Sequence, residues 1–319
     1  MRRPRRRQRS ARFVPESLNG LRRAARAVLI LIAGFVAPAW GKPSSPAVTV
    51  APHQEETFKP YTARVVYDTK ANDGSDAYFE VLKDGKRIYM QKAAGTGDKF
   101  FIGAMYQEDP DAALVKMGND ITGNGQPDLV VSEWSGYANC CLTIHIFELA
   151  PTFRKLGSVD AQFGDTGPHF IADKSSKTKA LDIKIHDWTF ANWNTDFADS
   201  PAPTVFLRYG DGGYRVAPDL MRAQVLAPPG LEARADEVRN YAPSADGGIW
   251  PKTDVSPQLW TTMLDLIYSG RAGAAWKFLN TAWPANLQGK DAFASDFRAQ
   301  LAKSPYAAAV SAMNSETAP

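Results

Sequence analysis

Asp128-Leu-Val-Val-Ser-Glu-Trp-Ser135 and Asp182-Ile-Lys-Ile-His-Asp-Trp-Thr189 are two versions of one pattern, 54 residues apart. Asp aligns with Asp, apolar with apolar, acid with acid, Trp134 with Trp188, and hydroxyl with hydroxyl. Each copy reads as a strand. A further strand and turn follow each copy at nearly the same distance from its tryptophan: Thr143 to Leu156 after the first, and Thr204 to Val216 after the second. A period somewhat above the ~40–50 residues of common propeller blades suits one four-stranded sheet with an extended loop. An earlier unit is expected over 61–105, without the motif.

Local signals agree with a β reading. Tyr78-Phe-Glu-Val-Leu-Lys-Asp-Gly-Lys-Arg-Ile-Tyr-Met90 is two alternating runs around Asp84-Gly85, a pair that tolerates the positive φ of a two-residue hairpin turn. Thr143–Phe147 and Thr204–Tyr209 are further strands, the second followed by Gly210-Asp-Gly-Gly213. Residues 61–220 therefore read as mainly β, built of blade-like antiparallel repeats. They hold about three units, fewer than the four blades of a closed propeller, so a partial or small propeller, an open stack or a sandwich is expected.

The flanking segments read differently. Ten arginines and Glu16 fall in the first 26 of 319 residues; without them, 27 basic residues face 33 acidic ones, a net charge of −6. After the arginines come Ala27-Val-Leu-Ile-Leu-Ile-Ala-Gly-Phe-Val36 and Ala37-Pro-Ala39. A charged region, a short apolar run and a small-x-small site form the pattern of a secretory signal peptide. The run is too short for a permanent span, which takes roughly 20 residues. Cleavage after Ala39 or Gly41 is expected, which places the protein in the periplasm or outside the cell. Its membrane contact would be limited to the export signal, and its acidity argues against nucleic acid.

Residues 40–60 read as a Pro/Ser-rich linker and 221–255 as a second linker. A small C-terminal α-helical region is expected over 256–319. Its first helix is Ser256-Pro-Gln-Leu-Trp-Thr-Thr-Met-Leu-Asp-Leu-Ile-Tyr268, with serine at the N-cap, proline at N1 and Gly270 just past its end. A second runs from Ala272 to Ala282, and a third carries Phe293, Phe297 and Leu301 on one face. The first two resemble one tetratricopeptide-type hairpin, which cannot bury its own face; packing on the β domain is expected.

The loop before the first copy carries the chemistry. In Asp120-Ile-Thr-Gly-Asn-Gly-Gln-Pro-Asp128, oxygen-bearing side chains stand at 120, 122, 124 and 128, a backbone carbonyl at 126 and glycine at 125. This is the alternate spacing by which a tight loop wraps a hard cation such as calcium. A strand follows in place of a helix, so the loop is not an EF-hand. The rival reading is an Asx-rich turn satisfying its own backbone.

Asp120-Ile-Thr-Gly-Asn-Gly-Gln-Pro-Asp-Leu-Val-Val131 resembles the calcium loop and following strand of FG-GAP and VCBS-type repeats, found in integrin-like β-propellers and secreted bacterial proteins. The resemblance covers about 100 residues and implies one calcium ion with Asp120, Thr122, Asn124, Gln126 and Asp128 as ligands. Thr122 departs from the usual acid or amide, which implies weak binding. The loop before Asp182 carries Lys174, Lys177 and Lys179 where oxygens would be needed, and is expected to bind no metal.

Glu133 and Asp187 occupy equivalent positions, each just before a tryptophan. As a pair they would give a secreted hydrolase of glycosidase type; as repeated architectural residues they would anchor loops, the reading favoured here. Trp134, Trp188 and Trp193, among amides and acids, would form either a lectin-like carbohydrate platform or packing between units. Cys140 and Cys141, the only cysteines, would be a vicinal disulfide or two buried thiols. The four histidines are scattered, and there is no phosphate loop, dinucleotide fingerprint or serine elbow. The sequence is read as a non-catalytic binding or structural module for a protein or carbohydrate ligand.

Overall fold

Asp84 and Gly85 take φ of 50° and 75°, and the tight turn they make sets the register of the hairpin over Tyr78–Lys92. The computed structural model describes residues 53–67, 77–95, 97–105, 112–137, 140–163, 168–172, 180–226, 229–242 and 254–315. The proposed signal peptide lies outside them. No helix among the described residues is long and apolar enough to cross a membrane.

Three four-stranded antiparallel sheets follow one another along the chain, each a meander in which consecutive strands pair. The first holds β1 (Gln54–Phe58), β2 (Tyr61–Val66), β3 (Tyr78–Lys83) and β4 (Lys86–Lys92). The second holds β5 (Lys99–Ile102), β6 (Asp128–Tyr137), β7 (Cys140–Glu148) and β8 (Arg154–Asp160). The third holds β9 (His169–Ala172), β10 (Leu181–His186), β11 (Thr204–Gly210) and β12 (Gly213–Val216). The two copies of the sequence pattern are thus the second strands of the second and third sheets. No barrel or closed propeller forms among the described residues.

Two boundaries need correction. β1 lies inside the stretch read as a linker over 40–60: its polar Gln-Glu-Glu-Thr-Phe sequence has no strand signal of its own, but β2 supplies a complete ladder from Gln54–Val65 to Phe58–Tyr61. The earlier unit ends at β4, because β5 pairs with β6 and so belongs to the next sheet.

The second sheet is buried on both faces, which is why Leu129-Val-Val131 is continuously apolar instead of alternating. Leu129, Val131 and Phe147 pack with Ala63, Val65, Phe79 and Val81 of the first sheet. Val130, Leu142, Ile144 and Ile146 belong to a larger core with Phe170, Ile183, Ile185, Val205 and Leu207 of the third sheet. The same core takes in Trp260, Leu264, Phe278 and Phe297 from the helices, so the helical region packs on the β units as expected.

The helices are α1 (Pro218–Ala223), α2 (Leu231–Arg239), α3 (Gln258–Tyr268), α4 (Ala272–Ala282), α5 (Lys290–Leu301) and α6 (Ala307–Ser315). Ser256 receives the Gln258 N–H at 3.2 Å, and Gly270 turns the chain between α3 and α4 with φ of 75°. Half of α1 and all of α2 fall in the stretch read as a linker over 221–255. Their few apolar side chains, Met221, Ala235 and Val238, are buried by tertiary contact, so no helical periodicity stands out in the sequence.

Candidate functional site

The Asp120–Asp128 loop closes on itself. Asp120 accepts the N–H groups of Gly123 at 2.8 Å and Gly125 at 2.9 Å. Both glycines have positive φ, and a Cβ on Gly123 would come within 2.6 Å of the Ala180 Cβ. Asn124 accepts the Gln126 N–H at 2.8 Å and donates to Glu148 at 2.6 Å. Oδ2 of fully buried Asp128 accepts from the backbone of Ile121 and Thr122, both at 2.9 Å, and from the Thr122 hydroxyl at 3.1 Å. The loop also bridges sheets, because the Ile121 carbonyl accepts the Leu181 N–H at the start of β10.

Asx-turn bonding therefore occupies much of the oxygen set assigned to calcium. Among the described residues, no group of three or more His, Cys, Asp or Glu side chains is placed to hold a metal. One oxygen remains: Asp128 Oδ1 is buried and has no hydrogen-bond partner. Burial pushes the Asp128 carboxyl up to about 6, against the bonds from Thr122 and Ile121, and the charge of Asp120 adds to the rise. The buried Tyr214 hydroxyl is likewise unpartnered, and its pKa is raised by burial and then by the Asp128 charge.

The third sheet solves the equivalent problem differently. Asp182 receives two bonds from Arg208, at 3.0 and 3.1 Å, and Arg208 also reaches Asp219. Arg208 lies one register step beyond the Ile183–Leu207 pair, opposite Asp182. At the matching position of the second sheet, Asp128 stands opposite Glu148. Arg154 neutralises Glu148 with bonds of 2.7 and 3.1 Å but makes none to Asp128 Oδ1. Of these two facing carboxylates, Arg154 compensates only Glu148.

Glu133 and Asp187 are held by separate sets of hydrogen-bond partners. Glu133 bonds to Gln91 of β4 at 3.1 Å, to the Ala94 N–H at 3.1 Å and to His145 at 2.7 Å. Asp187 accepts from the Tyr268 and Ser304 hydroxyls, both at 2.5 Å, from the Thr189 hydroxyl at 2.5 Å and N–H at 2.9 Å, and from Gln162 at 3.4 Å. One carboxylate ties the first sheet to the second; the other ties the end of β10 to α3 and to the turn after α5. Each takes a glutamine amide from at or just past the last strand of the preceding sheet, which is the repeated architectural role.

The sequence reading missed the rest of the Glu133 network. Nδ1 of His145 lies 2.8 Å from the Ser158 hydroxyl and 3.2 Å from Lys155 Nζ, while Nε2 lies 2.7 Å from Glu133 and 3.1 Å from the Gln91 amide. Burial alone would raise the Glu133 pKa. Bonds from His145 and Ala94, then the charges of His145 and Lys155, outweigh it and hold the carboxyl below its ordinary value. His145 shares a face of β7 with Thr143 and Phe147, but only the pairing of β7 with β6 and with β8 brings Glu133 and Ser158 to it.

Trp188 and Trp193 pack against other aromatic rings. Trp188, 9% exposed, stacks on Phe197 with centroids 5.0 Å apart and meets Phe163 edge-on. Trp193 meets Phe190, Trp260 and Phe297 edge-on. Lys99 lies 5.8 Å from the centre of half-buried Trp134. Cys140 and Cys141 adjoin at the start of β7 with their sulfurs against each other. The Ser135 hydroxyl donates to the Cys140 carbonyl and accepts the Cys141 N–H.

No protein-family model matches the chain, and neither a curated protein nor a solved structure does.

Proposed function

We propose that this chain is an exported, non-catalytic binding or structural module of FG-GAP/VCBS-like repeats, in which a weakly held calcium ion completes the Asp120–Asp128 loop. The observation that carries the reading is the orphaned Asp128 Oδ1, buried opposite Glu148 where the third sheet has Arg208 opposite Asp182. Asp128 would hold the ion together with Asp120, Thr122, Asn124 and the Gln126 carbonyl. The ion would supply charge compensation and fix a loop that joins the second sheet to the third. The loop then serves the scaffold, and recognition of a protein or carbohydrate falls to other surfaces.

Calorimetric titration of the mature chain with calcium, beside melting curves in calcium and in chelator, tests this. A cation bound only to the folded state adds about 2.7 kcal/mol at a hundred times Kd. Weak binding of the ~10⁻⁴–10⁻³ M kind found in extracellular modules gives a rise in Tm of a few degrees at millimolar calcium. Asp128→Asn should remove that increment and Thr122→Asp enlarge it. Absence of both binding heat and Tm shift in the unmodified protein leaves the loop as a turn only. The export half is tested separately, by mass spectrometry of the secreted chain: its N-terminus should lie near Trp40 or Lys42, and an intact Met1 in the cytoplasm would refute it.

A further inference from the structure

Two adjoining cavities, about 360 and 670 Å³, lie along α4 and α5 and share Asn280, Lys290 and Asp291. Together they make one elongated open groove on the face carrying Trp276 and Trp283. Leu279, Ala294 and Leu287 belong to the aliphatic part of its lining. The Arg298 guanidinium lies 4.1 Å from the centre of the Trp276 ring, and its one bond is to the Ala294 carbonyl of its own helix at 3.4 Å. Among the described residues, neither Arg298 nor Lys290 has a carboxylate partner. By contrast, Arg154, Arg208, Arg215, Arg234 and Arg239 all face acids.

We propose that this groove binds an extended acidic peptide segment of another protein, with an apolar side chain against Leu279 and Ala294 and a neighbouring carboxylate on Arg298 and Lys290. A guanidinium held over an indole keeps N–H groups to offer a carboxylate. Asp291, on the first turn of α5, reduces the local charge and favours a ligand with one or two acids over a polyanion. The groove is elongated and open, which suits a chain better than a compact small molecule. The inference is independent of the calcium loop, which lies in the β region.

The test is fluorescence anisotropy with the full mature chain and a fluorescein-labelled octapeptide rich in glutamate and leucine. A saturable rise is expected, and the glutamine analogue of the peptide should bind far more weakly. Lys290→Gln and Arg298→Gln should each weaken binding by about fivefold, the upper end for an exposed ion pair. Lys277→Gln, on α4 outside the groove, should change nothing. Lys290 stands at the half-buried start of α5, so an unchanged melting curve for Lys290→Gln keeps the comparison valid if Arg298→Gln disturbs Trp276. No anisotropy change up to millimolar protein, equal binding of both peptides, or an unaffected double variant would overturn the proposal. Complete displacement by equimolar inorganic phosphate would do so too, because it would mark a small-anion site.

Discussion

Single residues here act through what their partners leave unsatisfied. Arg208 has a third of its side chain exposed, whereas its partner Asp182 is almost wholly buried. Arg208→Ala strips the two guanidinium bonds from that carboxylate and should cost about 3 kcal/mol. Arg215→Ala, whose pair with Asp211 is fully surface-exposed, should cost under about 1 kcal/mol. Urea unfolding of both variants checks the ranking. Glu133 gives a pH signature. Its folded pKa lies below the ordinary value of 4.5, so its stabilisation is present above that value and is lost as pH falls through the folded pKa. Glu133→Gln should therefore destabilise by about 1–3 kcal/mol at neutral pH, and the gap to the parent should shrink in acid. A gap that stays constant with pH would show that the charge of Glu133 is irrelevant.

Between elements, the ties that matter are side chain to side chain across long sequence distances. The Tyr268 hydroxyl of α3 bonds to Asp187 just past β10, and Ser304 reaches the same oxygen from the turn after α5. Tyr268→Phe leaves packing intact and removes one donor, at a cost of about 1–3 kcal/mol. Hydrogen exchange should then show the end of β10 and the Trp188–Phe197 segment losing protection together. The Glu133 side gives the control: first-sheet amides should be unaffected. The second-strand carboxylates were legible as equivalents because Asp128-to-Ser135 and Asp182-to-Thr189 align residue by residue. Their partners were not legible, because Gln91, His145, Gln162, Tyr268 and Ser304 reach them only after strands pair and helices dock.

At the scale of the molecule, the third sheet and the helices are not separable bodies. Phe170, Ile183 and Ile185 share one core with Trp260, Leu264 and Phe297. A chain ending at residue 253 would expose that face, so it should lose cooperative melting and bind hydrophobic dye. A sharp, parent-like transition in the truncated chain would refute the shared core. At about 25 cal/mol per Å² of apolar surface returned to water, several large buried side chains exceed the margin of a typical domain.

The sequence by itself determined the β units, the hairpin at Asp84-Gly85, and the helices around Trp260, Trp276 and Phe297, because their signals are local: strand alternation, turn residues that accept positive φ, and helical periodicity with a glycine stop. It also determined the equivalence of Glu133 and Asp187, which a repeat displays without any structure. Only the tertiary structure decided that polar Gln54–Phe58 is a strand, that β5 belongs to the second sheet, and that α2 lies where a linker was expected. In each case the stabilising partner is distant in sequence, so no local pattern marks the element. The tertiary structure alone also decided that Asp128 keeps one buried oxygen unbonded while Asp182 has Arg208. Which charge stands opposite a strand's first residue depends on register, and register exists only once the sheet has formed.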